Sequence, residues 1–244
     1  MAGHNKWSKV KHIKAKTDAV KGKAFSKMAR EIMVAAKQGG ADPDMNATLR
    51  LAIQKAKQVN MPRDNIERAI QKGAGGGQEA NLDQLLYEAY APGGVALVIE
   101  CLTDNKNRTA SNIRAILSKA GASLAAEGSV TYLFQKKGYI YVVCDKQEEA
   151  LLDLVLGLGA LDIEQKDTLL CVECEPEDFE SFVQKIESAS FVIESSSIEK
   201  VAENTVVLEG EKAQKCLNLI EKLEEDDDVQ EVYGNFDILD EGVE

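Results

Sequence analysis

The sequence predicts an α+β multidomain fold: an N-terminal three-helix bundle followed by two α+β domains, the ferredoxin-like (βαββαβ) one inserted in the other. Three observations carry this. Up to Gly75-Gly76-Gly77 the apolar residues recur only at helical spacing. From Leu85 onward strand-like runs alternate with amphipathic helices. Within that half, residues 139–194 read as a self-contained βαββαβ run, and the strand and helix patterns after Thr205 can complete the sheet begun at Leu85. The domains then run 1–78, 79–134 plus 204–244, and 135–203.

Met1–Thr17 alternates lysine with small or polar residues and shows neither period, so it is expected as an arm. From Ala24 to Gln38 the pattern is helical: Phe25, Met28, Ile32 and Ala36 stand at i, i+3, i+7 and i+11, and Gly39-Gly40 ends the helix. A second helix is expected from Asp42-Pro43, an N-cap residue followed by proline, to Val59-Asn60. Pro62 opens a third carrying Ile66, Ala69 and Ile70, and the glycines from Gly73 to Gly77 read as a hinge.

Strands are expected at Leu85–Tyr90 and Val95–Leu102, about a Pro92-Gly93-Gly94 turn. A helix capped by Asn107 runs to Ala120, and Val130–Phe134 reads as a strand. The βαββαβ run is strand Tyr139–Cys144, helix Glu148–Leu158, strands Leu161–Glu164 and Thr168–Glu173, helix Glu177–Ser188, and a strand from Phe191 to Glu194 or somewhat beyond. Strand Thr205–Leu208, helix Lys212–Leu223 and strand Val229–Phe236 close the chain.

Charge is divided by position. Residues 1–80 carry a net +9 and the rest −21, within a total of −12. Residues 1–30 alone hold Lys6, Lys9, Lys11, Lys14, Lys16, Lys21, Lys23, Lys27 and Arg30 against one acid, Asp18. A polyanion is attracted to this end and repelled by the remainder. Lys23, Lys27 and Arg30 continue the basic run along one helix face, which argues against a merely solvated tail. Trp7, the sole tryptophan, could stack on a base or anchor the arm to the bundle. The candidate nucleic-acid-binding residues are therefore Lys6, Trp7, Lys9, Lys11, Lys14, Lys16, Lys21, Lys23, Lys27 and Arg30.

Other chemistry finds less support. The two histidines, His4 and His12, both lie in the basic arm, so no Ser-His-Asp or Cys-His site is expected elsewhere. Cys171 and Cys174 form a C-x-x-C inside an expected strand, where positions i and i+3 face opposite ways, a poor arrangement for a metal or a redox disulfide. No second pair accompanies it, so no metal, cofactor or enzymatic activity is expected. The five scattered cysteines, the lack of an apolar run long enough to span a bilayer, and a start that fits neither a secretory signal nor a mitochondrial presequence suggest a cytoplasmic protein without membrane contact. The helix pair 49–72 has the outline of a helix-turn-helix, with Arg63, Asn65, Arg68 and Gln71 able to reach base edges, but Asp64 and Glu67 are interspersed and short helical hairpins are common.

Long stretches resemble one family: Gly3-His4-Asn5-Lys6-Trp7, Lys21-Gly22-Lys23-Ala24-Phe25, residues 61–70 (MPRDNIERAI), residues 87–95 (YEAYAPGGV), residues 100–109 (ECLTDNKNRT), Gly128-Ser129-Val130, and Asp226-Asp227-Asp228-Val229-Gln230 with Asn235-Phe236. They are similar to the YebC/PmpR family, whose mitochondrial relatives activate translation of a cytochrome oxidase subunit. The resemblance implies three domains with a ferredoxin-like insertion. It also implies a role either as a DNA-binding transcriptional regulator or as a translation factor associated with the ribosome. The chain departs from the family at Gly159-Ala160-Leu161-Asp162, where an acidic residue commonly follows Gly-Ala.

Sequence alone thus points to a non-enzymatic regulator of gene expression whose partner is nucleic acid, either DNA or ribosomal RNA, with the ribosome as a candidate partner. The acidic domains are a possible surface for a protein partner. The alternative is a protein–protein adaptor that uses the acidic ferredoxin-like domain.

Overall fold

The computed structural model describes residues 18–75, 82–144, 148–166 and 168–238; the side chains of 18–21, 148 and 166 are not described. The arm before Asp18 and the linker glycines after Gly75 therefore lie outside the described residues.

Helix α1 (Asp18–Gly39) begins six residues before the expected start and packs against α2 (Ala47–Gln58) and α3 (Arg63–Ala74). Their shared core is Ile32, Ala35, Ala36, Leu49, Ala52, Ala56, Met61, Ile66 and Ala69. Helix α2 does not start at Asp42-Pro43. Asn46 is the N-cap, its side chain accepting from the Leu49 N–H at 3.0 Å while its amide donates to Ala35 O and Gly40 O. A buried asparagine with three backbone partners outcompetes an exposed Asp-Pro pair. Asn60, at φ +58, turns the chain into α3. Gly73 belongs to α3 rather than to a hinge: an added Cβ would stand 2.9 Å from Met33 Cα, so the glycine lets α1 and α3 approach closely.

Strands β1 (Asp83–Ala91) and β2 (Val95–Thr103) form an antiparallel pair within a sheet ordered β3-β1-β2-β9, where β3 is Ser123–Leu124 and β9 is Val229–Gly234. One face packs on α4 (Lys106–Lys119) and α7 (Gly210–Glu224), around Leu97, Ile99, Ile113, Leu117, Leu219 and Leu223. Asn105, not Asn107, caps α4 by accepting from the Arg108 N–H at 3.1 Å. The segment expected as strand 130–134 curls instead into a single 3-10 turn at Thr131–Leu133. The cause is Glu88, 4% exposed, whose carboxylate accepts from the backbone N–H groups of Gly128, Val130 and Thr131. The expected last strand splits at Asn235, whose side chain accepts from Ala96 N–H at 2.7 Å; β10 (Phe236–Ile238) then pairs in parallel with β8 (Val206–Leu208).

The chain divides into two compact units, Met1–Phe134 with Ala202–Glu244, and Gln135–Val201. The second unit takes the order β4 (Phe134–Val143), α5 (Glu148–Gly157), β5 (Asp162–Lys166), β6 (Leu169–Cys174), α6 (Phe179–Ser188), β7 (Ile193–Ala202), with its strands ordered β5-β6-β4-β7. Strand β7 runs well past the expected Glu194 because it lines the ten-residue β4. All five cysteines are free thiols, with Cys171 and Cys174 both on β6 and buried. Among the described residues no helix is long and apolar enough to cross a membrane.

Candidate nucleic-acid interface

Of the ten residues expected to meet nucleic acid, Lys6, Trp7, Lys9, Lys11, Lys14 and Lys16 lie outside the described residues, as does the Lys21 side chain. The other three stand on α1 at i, i+4 and i+7 and meet the carboxyl end of α7. Lys23 Nζ donates to Glu225 O at 3.1 Å and Lys27 Nζ to Glu224 O at 2.7 Å. Arg30 Nη1 donates to Asp227 O at 2.7 Å and to Asp228 Oδ1 at 3.0 Å, with Leu102 O at 3.4 Å. These ammonium groups sit where carbonyls at a helix C-terminus lack intrahelical donors and carry the negative end of the helix dipole. The face that reads as a phosphate track from sequence is thus engaged with the protein's own chain at three of its positions.

Asp228 is the centre of this junction. Its side chain is 3% exposed and collects Arg108 Nη2 at 2.8 and 3.0 Å, Arg108 Nε at 3.2 Å, and the hydroxyls of Thr109 at 2.8 Å and Thr103 at 3.1 Å. Burial alone would raise this carboxyl's pKa, but the bonds from Arg108, Thr109 and Arg30 outweigh burial and hold it below the usual aspartate value. Arg108 is also tied to Asp104 at 2.6 Å, and its guanidinium is pushed further above its ordinary value, by Asp228 first and Asp104 next. The Asp104–Arg108 segment is a capped turn: Asn105 Oδ1 accepts from the Arg108 N–H, and the Arg108 side chain is taken up by Asp104 and Asp228. A cleft of about 740 Å³ opens beside it, lined by Arg30, Met33, Leu82, Asn112 and the acidic turn 226–228.

A second charged contact lies on the bundle. Lys55 Nζ is 2.7 Å from Glu31 Oε1. Burial lowers the Lys55 pKa, but Glu31 above all, then Glu231 on β9 and Glu100 on β2, carry it above the ordinary lysine value. On α3 three of the four side chains able to reach bases are paired within the helix: Arg63 Nε bonds Glu67 at 2.7 Å, and Arg68 bonds Asn65 Oδ1 at 2.7 Å and Asp64 O at 3.1 Å. Among the described residues no group of three or more His, Cys, Asp or Glu side chains is placed to hold a metal ion.

Family models cover nearly all of this architecture. One described as the TACO1/YebC protein N-terminal domain matches residues 5–76, and one described as the TACO1/YebC second and third domain matches residues 82–236. The chain belongs to the TACO1/YebC family. Relatives from Nitratiruptor (51% identical, covering 97% of this chain and all of theirs) and Rubrobacter xylanophilus (49%, 99% and 97%) are each called a probable transcriptional regulatory protein. One from Treponema denticola (47%, 98% and 97%) bears the same name. A crystal structure of a conserved hypothetical protein from Aquifex aeolicus is 44% identical, covers 97% of this chain and 98% of its own, and superposes with a TM-score of 0.84.

The TACO1/YebC N-terminal match includes every candidate cation from Lys6 to Arg30. Sequence reasoning missed the Arg108–Asp228 pair. Its acidic member lies in the run Glu224–Asp228, which reads as solvated surface; the available signal was the buried-strand pattern of Val229 and Val232 that follows at once.

Proposed function

We propose that this chain is a non-enzymatic regulator of gene expression that binds nucleic acid through Lys6, Trp7, Lys9, Lys11, Lys14, Lys16, Lys21, Lys23, Lys27 and Arg30. One observation carries the reading: a net +8 is gathered in residues 1–30 of a chain whose total is −12. Neutralised phosphates supply affinity, and the acidic remainder keeps the polymer at one end. The name shared by the relatives supports regulation and favours promoter DNA. The pairing of Arg63 and Arg68 within α3 supports backbone contact over base reading, which suits ribosomal RNA at a translating ribosome equally well. The strand order β5-β6-β4-β7, and the return of the chain to the first unit at Ala202, support reading the second unit as a ferredoxin-like domain inserted in the first.

The test is binding to DNA and RNA across a salt series. If about four to six cations meet phosphates, log K falls against log salt with a slope of roughly −3 to −5. Removing residues 1–17 takes away Lys6, Lys9, Lys11, Lys14 and Lys16, leaves α1 in place, and should make the slope markedly shallower. A full-length chain with no salt dependence overturns the proposal and favours a protein–protein adaptor using the acidic domains. Crosslinking in cells, followed by sequencing of the attached DNA and RNA together, separates promoters from ribosomal RNA.

A further inference from the structure

We infer that the turn Glu224–Asp228 is an internal competitor for the basic stripe of α1. It holds Lys23, Lys27 and Arg30 in the free protein and yields them to a phosphate polymer, so that binding detaches the helical bundle from the β1-β2-β9 sheet. The inference rests on the nucleic-acid reading above.

The first support is the match of spacing. Three cations on one helical face each meet oxygens of this one turn: Lys23 that of Glu225, Lys27 that of Glu224, and Arg30 those of Asp227 and Asp228. These acceptors include four backbone carbonyls, those of Leu102, Glu224, Glu225 and Asp227. A phosphate offers fully charged oxygens, whose bonds to ammonium and guanidinium groups are stronger than those of neutral carbonyls. The turn therefore holds the stripe in a weaker version of the contact that a polymer provides.

The second support is that Asp228 is not stranded when the stripe lets go. Asp228 keeps its three contacts from Arg108 and the hydroxyls of Thr103 and Thr109 when Arg30 leaves. The carbonyls of Glu224 and Glu225 lie at the end of α7, where last-turn carbonyls commonly bond water. The two apolar cores are separate as well: the bundle closes around Ile32 and Leu49, the sheet around Leu97 and Leu219, and no residue belongs to both. Lys55, which lies near Glu231 and Glu100 of the sheet, keeps its partner Glu31 inside the bundle.

The experiment bridges the contact. In a Lys23→Cys, Glu225→Cys variant that also carries Cys144→Ser, the remaining native thiols are buried, so a short bis-maleimide joins only the two introduced cysteines. Affinity for a homopolymeric RNA and for a random-sequence DNA duplex is compared between the bridged and unbridged forms of the same variant, with wild type alongside. Bridging should weaken binding at least about tenfold, because the competent state is removed from the population. Equal affinity of the two forms while wild type binds overturns the inference and leaves the nucleic-acid reading standing. Absence of binding by wild type overturns that reading and the inference with it. A second comparison applies if the bridge does not form: Arg30→Gln, which also loosens the turn, should weaken binding less than Lys16→Gln, and an equal or larger loss overturns the inference.

Discussion

Arg108 and Asp228, 120 positions apart in the chain, are joined through two guanidinium nitrogens, Nη2 at 2.8 Å and Nε at 3.2 Å from the same Oδ2. The aspartate is buried and the arginine partly exposed, so the pair is unequal: removing the cation leaves a carboxylate out of water with fewer donors. Arg108→Ala should cost about 2 kcal/mol, at the low end for such pairs because Arg30, Thr103 and Thr109 remain. Arg108→Lys should recover little of it, since an ammonium does not reproduce the fork. Urea unfolding reads both as a lower midpoint at unchanged m.

Acid should weaken the fold through two carboxyls. Burial works against the charge of Asp228 and of Glu88. Arg108, Thr109 and Arg30 overcome burial at Asp228, and the N–H groups of Val130, Gly128 and Thr131 overcome it at Glu88, so both are held below their usual values. A depressed carboxyl binds fewer protons folded than unfolded. Its stabilisation is present above the unfolded pKa of about 4 and is lost as pH falls through the folded one. Unfolding free energy measured from about pH 6 downward should drop below about pH 4, and Asp228→Asn or Glu88→Gln should each flatten that drop. In Glu88→Gln the amides of Gly128, Val130 and Thr131 should also exchange faster with deuterium, because one carbonyl oxygen replaces a two-oxygen acceptor.

Gly73→Ala sets helix propensity against packing. Alanine is favoured by about 1 kcal/mol inside a helix. The added methyl would meet Met33 O and stand 2.9 Å from Met33 Cα, both backbone atoms that cannot rotate aside. Packing should prevail, with a net loss of about 1–2 kcal/mol measured by thermal or denaturant unfolding. A stabilised variant would show that α1 and α3 separate at little cost.

The buried thiols should be inert while the protein is folded. Burial pushes Cys101, Cys174 and Cys216 up to about 12, and the acidic residues near Cys101 and Cys174 add to it. A disulfide reagent at neutral pH should label fewer than the five cysteines of native protein and all five in denaturant.

Local periodicity made the α+β grammar and most element positions legible, because the apolar stripes of α1 and α6 and the buried run of β2 are written in consecutive residues. Two of the misplacements have a common origin. Asn46 prevailed over Asp42-Pro43, and the 3-10 turn over a strand at residue 130, each through a hydrogen bond to a partner that a propensity argument does not see, while Asn105 over Asn107 is a choice between two asparagines two residues apart. The stripe of Lys23, Lys27 and Arg30 was legible as one face of a helix. Its neighbour was not, since Lys23 and Lys27 lie 202 and 197 residues from their acceptors and those acceptors are backbone oxygens, which no side chain announces.

Strands β4 and β7 lie side by side in one sheet, with Val143 N–H donating to Val192 O at 2.8 Å where β4 ends and β7 begins. The polypeptide thus leaves the first unit at Phe134 and rejoins it at Ala202 through two adjacent strands. A segment with such neighbouring ends can be excised, or exchanged for another of similar footprint, with a short splice. Gene rearrangement could therefore remodel the Gln135–Val201 cassette while the strands of its host stay in register.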